Sequence, residues 1–159
     1  MEIINYDSKY DEQIKDLLVE LQEYVVSIDK YGYNILTDEY REKYFKETMK
    51  EVSEKEGKIL LSVEDNKVIG LVIGIINNYE ENSYEFKAPK RGRITELIVS
   101  KKYRIKGCGK TLVSAIENYL KSIGCKAVLI EVFAYNENAK EFYLKKGYET
   151  RIIEVIKEL

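Results

Sequence analysis

The sequence predicts an α/β domain in which a mixed sheet is flanked by helices and a strand-helix-strand crossover carries the ligand loop. Three observations predict it. Arg93 to Val99 reads as an apolar strand that passes through a loop bearing Gly107 and Gly109 and opens directly into a helix. Ala127 to Val132 is nearly all apolar, the pattern of a strand covered on both faces in a parallel pair. Upstream, the stretch KILLSVEDNKVIGLVIGIINN divides into two strands, 58–64 and 68–77, at Glu64-Asp65-Asn66-Lys67, residues suited to a tight hairpin.

The remaining elements follow in order. Residues 2–6 form a short first strand. Ile14, Leu17, Leu18, Leu21, Tyr24, Val25 and Ile28 then recur at three- and four-residue steps, predicting a first helix from Tyr10 to Ile28. A polar and aromatic loop leads to a second helix over Asp38 to Glu54, with a narrower stripe of Tyr40, Tyr44, Phe45 and Met49, closed by Gly57. Gly70 and Gly74 inside the second hairpin strand mark a bulge or close packing. Residues 78–91 read as a loop, acidic first and basic later. From Gly109 a helix places Leu112, Val113, Ile116, Tyr119, Leu120 and Ile123 on one side, and Gly124 stops it. A short helix over Asn138 to Lys145 and a last strand over Tyr148 to Ile156 complete the expected order, read as a single domain over residues 1–159.

Composition narrows the function classes. Acids and bases nearly balance, 28 against 26, for a net charge of −2, so the overall field does not recruit nucleic acid. Histidine is absent and the two cysteines, Cys108 and Cys125, are far apart. A zinc site of the usual Cys/His type, a disulfide scaffold and histidine-dependent nucleophilic machinery are therefore not expected. Acid–base chemistry falls to carboxylates, tyrosines, lysines or water. The amino-terminal MEIINYDSKYDEQ is polar and acidic, and no apolar run approaches the ~20 residues of a membrane span. A soluble cytoplasmic protein, without a membrane or nucleic-acid partner, is expected; a homodimer is compatible with the sequence.

The loop from Arg104 to Lys110 is the main chemical signal. Its glycines let the backbone turn and approach a ligand closely, while the unpaired amides of the following helical turn point at the guest, suiting a phosphate or pyrophosphate. The ending Gly109-Lys110-Thr111 also matches the close of a nucleotide-binding P-loop, but Arg104 stands where that motif needs its first glycine. A second block, Asn136-Glu137-Asn138-Ala139-Lys140-Glu141-Phe142-Tyr143 followed by Gly147-Tyr148, lies beyond the crossover. Together, Arg104-x-x-Gly107-x-Gly109 and this block resemble the GCN5-related N-acetyltransferase (GNAT) family, over roughly Gly92 to Tyr148.

The resemblance implies a central splay between strands 93–99 and 126–132 that admits the acetyl-bearing arm of acetyl-coenzyme A. It further implies cofactor contacts from the backbone of Leu97, Ile98 and Val99, from the loop residues Arg104, Ile105, Lys106, Gly107, Cys108, Gly109, Lys110 and Thr111, and from Asn136, Ala139 and Tyr143. Tyr143 matches the position that protonates the departing thiolate. Cys108 replaces the family's usual small or branched apolar residue and is read as packing. Asn136 either bonds the cofactor arm or caps the short helix, with Asn138 as the other capping candidate.

Glu96 is placed by alternation on the same strand face as Ile94 and Ile98, an odd setting for a carboxylate unless it is used. It is the expected general base toward a primary amine of a small molecule or peptide, with Glu131 or water as alternatives. The acceptor pocket is expected from Asp29, Tyr31 and Tyr33 and from Tyr79, Glu80, Glu81, Tyr84 and Glu85. The expected activity is direct acetyl transfer from acetyl-coenzyme A. The alternatives are a non-catalytic acyl-coenzyme A sensor of the same fold and a P-loop nucleotide-binding module.

Overall fold

In the computed structural model, the described residues are 1–77, 84, 87–104 and 107–159. Five strands form one sheet in the order β1-β2-β3-β4-β5: β1 (Glu2–Asn5), β2 (Lys58–Glu64), β3 (Lys67–Ile76), β4 (Arg91–Val99) and β5 (Ala127–Leu129). The first four pair antiparallel, and β5 joins β4 in parallel. The β2–β3 hairpin closes at Glu64↔Lys67, with Asp65 and Asn66 both at positive φ, 49° and 62°, as a tight two-residue turn requires.

Helices cover both faces. α1 (Asp11–Ile28) and α2 (Tyr40–Glu54) pack on one face, where Tyr10, Ile14, Leu17 and Leu18 meet Ile59, Leu61, Leu71, Ile73 and Ile98. α3 (Cys108–Ser122) lies on the other, its Leu112, Val113, Ile116 and Leu120 fully buried against Leu60, Val72 and Ile94. α4 (Glu137–Lys145) adds Tyr143 to that second core. α3 presses closely onto the sheet: a Cβ built on Gly74 lies 2.6 Å from Ile116 Cγ1, and one on Gly92 lies 2.6 Å from Leu120 Cδ1. Close packing is thus the role of Gly74. Gly70 is similarly tight, 2.9 Å from the Ile98 carbonyl oxygen, and stands beside a register shift in the β2–β3 ladder. Among the described residues no helix is long and apolar enough to cross a membrane.

Two expectations are corrected. Residues 148–156 do not form a last strand: no regular element follows α4, and residues 149–159 are all exposed. Alternation predicts a strand only where a ladder exists to receive it, and this segment's Ile and Val residues find none in the sheet of this chain. The strand expected over 126–132 pairs only through Leu129.

Candidate active site

The site is built around a break in β4. Ile73 pairs with Glu96 and Gly74 with Ile94, so Thr95 is an extra residue, a β-bulge. The bulge reverses the alternation. Ile94 faces α3 and joins its core, whereas Ile98 joins the core under α1 and α2, and Glu96 meets Tyr44 of α2. Glu96 therefore shares a face with Ile98 but not with Ile94, which corrects the unbroken alternation expected from sequence.

The Tyr44 hydroxyl donates to Glu96 Oε1, and the Tyr40 ring stacks on Tyr44 at 4.7 Å between centroids. Burial pushes the Glu96 carboxyl up to about 7; the Tyr44 hydrogen bond opposes this, and the nearby Glu51 charge adds to it. Burial and the Glu96 charge together push Tyr44 upward as well. Both groups border a cleft of about 610 Å³ between α2 and the first half of β4, which Glu47, Glu51, Arg93 and Glu131 also line. Glu131, the reserve base, is exposed and ion-paired with Arg93, so its charge is already compensated. Tyr44 was legible only as part of a helical stripe; its partnership with Glu96 depends on the bulge.

The parallel ladder between β4 and β5 runs only from Arg91↔Ala127 to Arg93↔Leu129. Beyond it, the stretch of β4 that contains Leu97, Ile98 and Val99 has no β5 partner, so the two strands part on the side facing α4. At the far end of that gap α3 begins. Gly107, its N-cap, has φ 77°, and a Cβ there would meet nothing within 4 Å. Among the described residues no side chain caps α3, which leaves its first-turn amides available for an anion. Gly109 lies where a Cβ would approach Val99 and Phe142 at 3.7 and 3.9 Å, which brings the end of β4, the start of α3 and α4 together. Cys108 is buried in the α3 core, and that burial holds its thiol above the usual range. It packs, as expected. Lys110 and Thr111 are exposed; the Thr111 hydroxyl donates to the Gly107 carbonyl. Arg104 Nε donates to the Val99 carbonyl, and its guanidinium lies 3.6 Å from Glu20. Ile105 and Lys106 lie outside the described residues.

Asn136 caps α4, accepting from the Ala139 amide at 3.2 Å and from the Tyr24 hydroxyl of α1 at 3.2 Å. Tyr143 is buried, edge-on to Phe142 and Tyr148, and burial raises its hydroxyl pKa well above the ordinary value. Its hydroxyl has no hydrogen-bond partner among the described residues, while Tyr148 donates to Glu117. Asp29, Tyr31 and Tyr33, expected to bind the acceptor, do not line this cleft: Asp29 is turned onto its own loop, accepting from the amides of Tyr31 and Asn34, and Tyr31 stacks on Tyr33. Tyr84 is fully exposed, and Tyr79, Glu80, Glu81 and Glu85 lie outside the described residues.

A sheet opened between two parallel strands above an uncapped helix terminus agrees with sequence comparison, in which residues 25–148 match the acetyltransferase (GNAT) family. The chain belongs to the GNAT family. A curated relative, an uncharacterized N-acetyltransferase of Methanocaldococcus jannaschii, is 31% identical over 88 residues, 55% of this chain and 49% of that protein. The match thus spans about half the length of the curated relative. Among solved structures, a point mutant of the Bacillus halodurans protein BH1408 superposes with a TM-score of 0.88 at 20% identity, covering 100% of this chain and 99% of that one. An aminoglycoside N-acetyltransferase in complex with coenzyme A superposes with a TM-score of 0.70 at 14% identity, covering 99% and 100%. At these identities the structures establish the GNAT fold, a mixed five-stranded sheet flanked by helices.

Proposed function

We propose that this GNAT acetyltransferase moves an acetyl group from acetyl-coenzyme A to a primary amine by direct attack. The observation that carries the reading is the parting of β4 from β5 after Arg93 and Leu129, which leaves Leu97 to Val99 unpaired on the β5 side between the α3 terminus and the Glu96 cleft. The residues present fit the cofactor. Gly107, Gly109 and the first-turn amides of α3 form a cradle that no side chain among the described residues obstructs, and Arg104 and Lys110 add positive charge beside it. The unpaired backbone of Leu97, Ile98 and Val99 offers donors and acceptors to an extended arm, and a main-chain N–H there can polarise a carbonyl. When bound, acetyl-coenzyme A supplies the activated acetyl thioester.

The chain's own groups divide the proton work. Glu96, held near neutrality by burial and oriented by Tyr44, accepts a proton from the incoming ammonium, directly or through water. Glu47 has no ion-pair partner among the described residues and, with Glu96, leaves negative potential in the cleft for a cationic acceptor. Tyr143 retains its proton throughout the physiological range and serves as donor to the leaving sulfur. Asn136, with its carboxamide oxygen engaged by Ala139 and Tyr24, presents its remaining donors toward the arm.

The test is a thermal-shift titration with acetyl-coenzyme A beside coenzyme A and ATP with magnesium, followed by a free-thiol assay across primary amines. A saturable shift with acetyl-coenzyme A, and thiol release dependent on both substrates, is expected. A shift with ATP alone would overturn the reading. Binding of acetyl-coenzyme A without turnover on any amine favours a sensor.

A further inference from the structure

Helix α1 does more than cover the sheet. Its residues Glu20 and Tyr24 stand four apart and share one face, separated by ~6 Å of helical rise. Glu20 Oε1 accepts from the Lys101 amide at 3.1 Å and lies 3.6 Å from the Arg104 guanidinium, whose Nε donates to the Val99 carbonyl at 3.0 Å. These partners belong to the end of β4 and to the turn that follows it. Tyr24 bonds to the opposite side. Its hydroxyl donates at 3.2 Å to the side-chain oxygen of Asn136, which lies past β5 and also accepts from the Ala139 amide in the first turn of α4. One turn of α1 thus ties the β4 side of the opening through Glu20 and the β5 side through Tyr24.

Taken singly, contacts between partly exposed side chains contribute little. Their placement gives these a task. Past Arg93 and Leu129 no ladder joins β4 to the chain that continues from β5, and backbone donors and acceptors on facing edges gain by pairing. An opening with nothing across it is free to narrow or to widen. A tie anchored on both sides fixes its width before a ligand enters, which reduces the ordering cost of association.

We infer that Glu20 and Tyr24 are positioning residues that set the width of the opening between β4 and β5, a role that rests on the acetyl-coenzyme A reading above. Neither touches the reacting atoms. Glu20 acts through Lys101 and Arg104, and Tyr24 through Asn136, whose doubly engaged oxygen fixes the carboxamide and leaves its nitrogen for a ligand. Because the tie needs both ends, breaking either one releases it and breaking the second adds little.

The test is calorimetric titration of the full chain with coenzyme A and with adenosine 3′-phosphate 5′-diphosphate, its nucleotide half without the arm. Tyr24→Phe and Glu20→Ala should each weaken coenzyme A binding by about 5- to 10-fold, the loss of one hydrogen bond's worth of positioning, and the double variant by about the same factor. Glu20→Gln keeps an acceptor for the Lys101 amide and should bind as the wild type does. Tyr24→Phe should leave the affinity for the nucleotide half unchanged. Wild-type affinity in both single variants, losses that multiply in the double variant, or an equal loss for the ligand without the arm overturns the inference. A wild type that does not bind coenzyme A overturns the cofactor reading instead. The width itself is read without ligand from spin labels on cysteines placed at Lys102 and Lys140, both exposed, while the native thiols are buried and do not compete. A narrow distance distribution that broadens in the double variant is expected, and identical distributions overturn the tie.

Discussion

The Tyr44 hydroxyl of α2 reaches across to the Glu96 carboxylate on β4, and this contact joins a helix to the bulged point of the strand that borders the cleft lined by Glu47 and Glu51. A donor to a carboxylate stabilises its charged form. Tyr44→Phe therefore raises the Glu96 pKa further, moving the acidic limb of the kcat/KM profile to higher pH by on the order of one pH unit. A pH–rate series on the two proteins measures the displacement. A uniform loss of rate with an unmoved limb would mean that Tyr44 only packs.

Glu96→Gln removes the base and should lower turnover by ~10²–10⁴. It also has an opposite effect on stability. Burial raises the folded-state pKa to about 7 from the ordinary glutamate value of 4.5, so the folded state binds more protons between those pH values. Stability is then undiminished at the acidic end and falls as pH rises through 7, by at most about 3 kcal/mol from this group. The glutamine variant loses that slope, and urea titrations at pH 5 and pH 8 should show its relative stability increasing with pH.

Tyr143→Phe keeps the aromatic packing against Phe142 and Tyr148 and deletes a hydroxyl without a partner among the described residues. Stability should change by less than about 0.5 kcal/mol while turnover falls by roughly 10²-fold with cofactor affinity retained. Melting curves, coenzyme titration and steady-state rates separate the three effects. Unchanged turnover with chemistry rate-limiting removes Tyr143 from the proton pathway.

Gly74→Ala and Gly107→Ala should fail differently. A Cβ at Gly74 collides with Ile116 and costs about 1–3 kcal/mol of folding stability through overpacking. At Gly107 there is open space, and the cost is the left-handed backbone alone, about 1–2 kcal/mol. Because that residue caps α3, cofactor affinity should fall as well. Denaturation midpoints and coenzyme dissociation constants, measured on both variants, distinguish packing from cradle geometry.

Legibility from sequence followed the range of the forces involved. The hairpin at Asp65-Asn66 and the apolar face of α3 are set by local backbone preference and helical period, and both stand in the fold as read. The glycine loop and the Asn136 block were likewise recognisable as a spaced pair of motifs. The Thr95 bulge was not, because a single inserted residue in one strand is defined only against its neighbour β3. From that omission followed the wrong face for Glu96 relative to Ile94. The cleft beside Glu96 was not legible, because it is lined by polar side chains of α2 that alone resemble a solvated helix face. The segment after α4 was read as a strand of this sheet, since its β-branched composition carries no information about which edge receives it.

The bare backbone at Gly74 and Gly92 has a consequence for how a ligand meets this protein. Ile116 and Leu120 are seated directly on the sheet, so α3 cannot slide or tilt without disturbing that close contact. Its leading turn is consequently oriented before any anion arrives. Little conformational entropy should be lost there on association. Loosening the helix from below, through a substitution at either glycine, would therefore weaken recognition at its opposite end without altering a single group that touches the ligand.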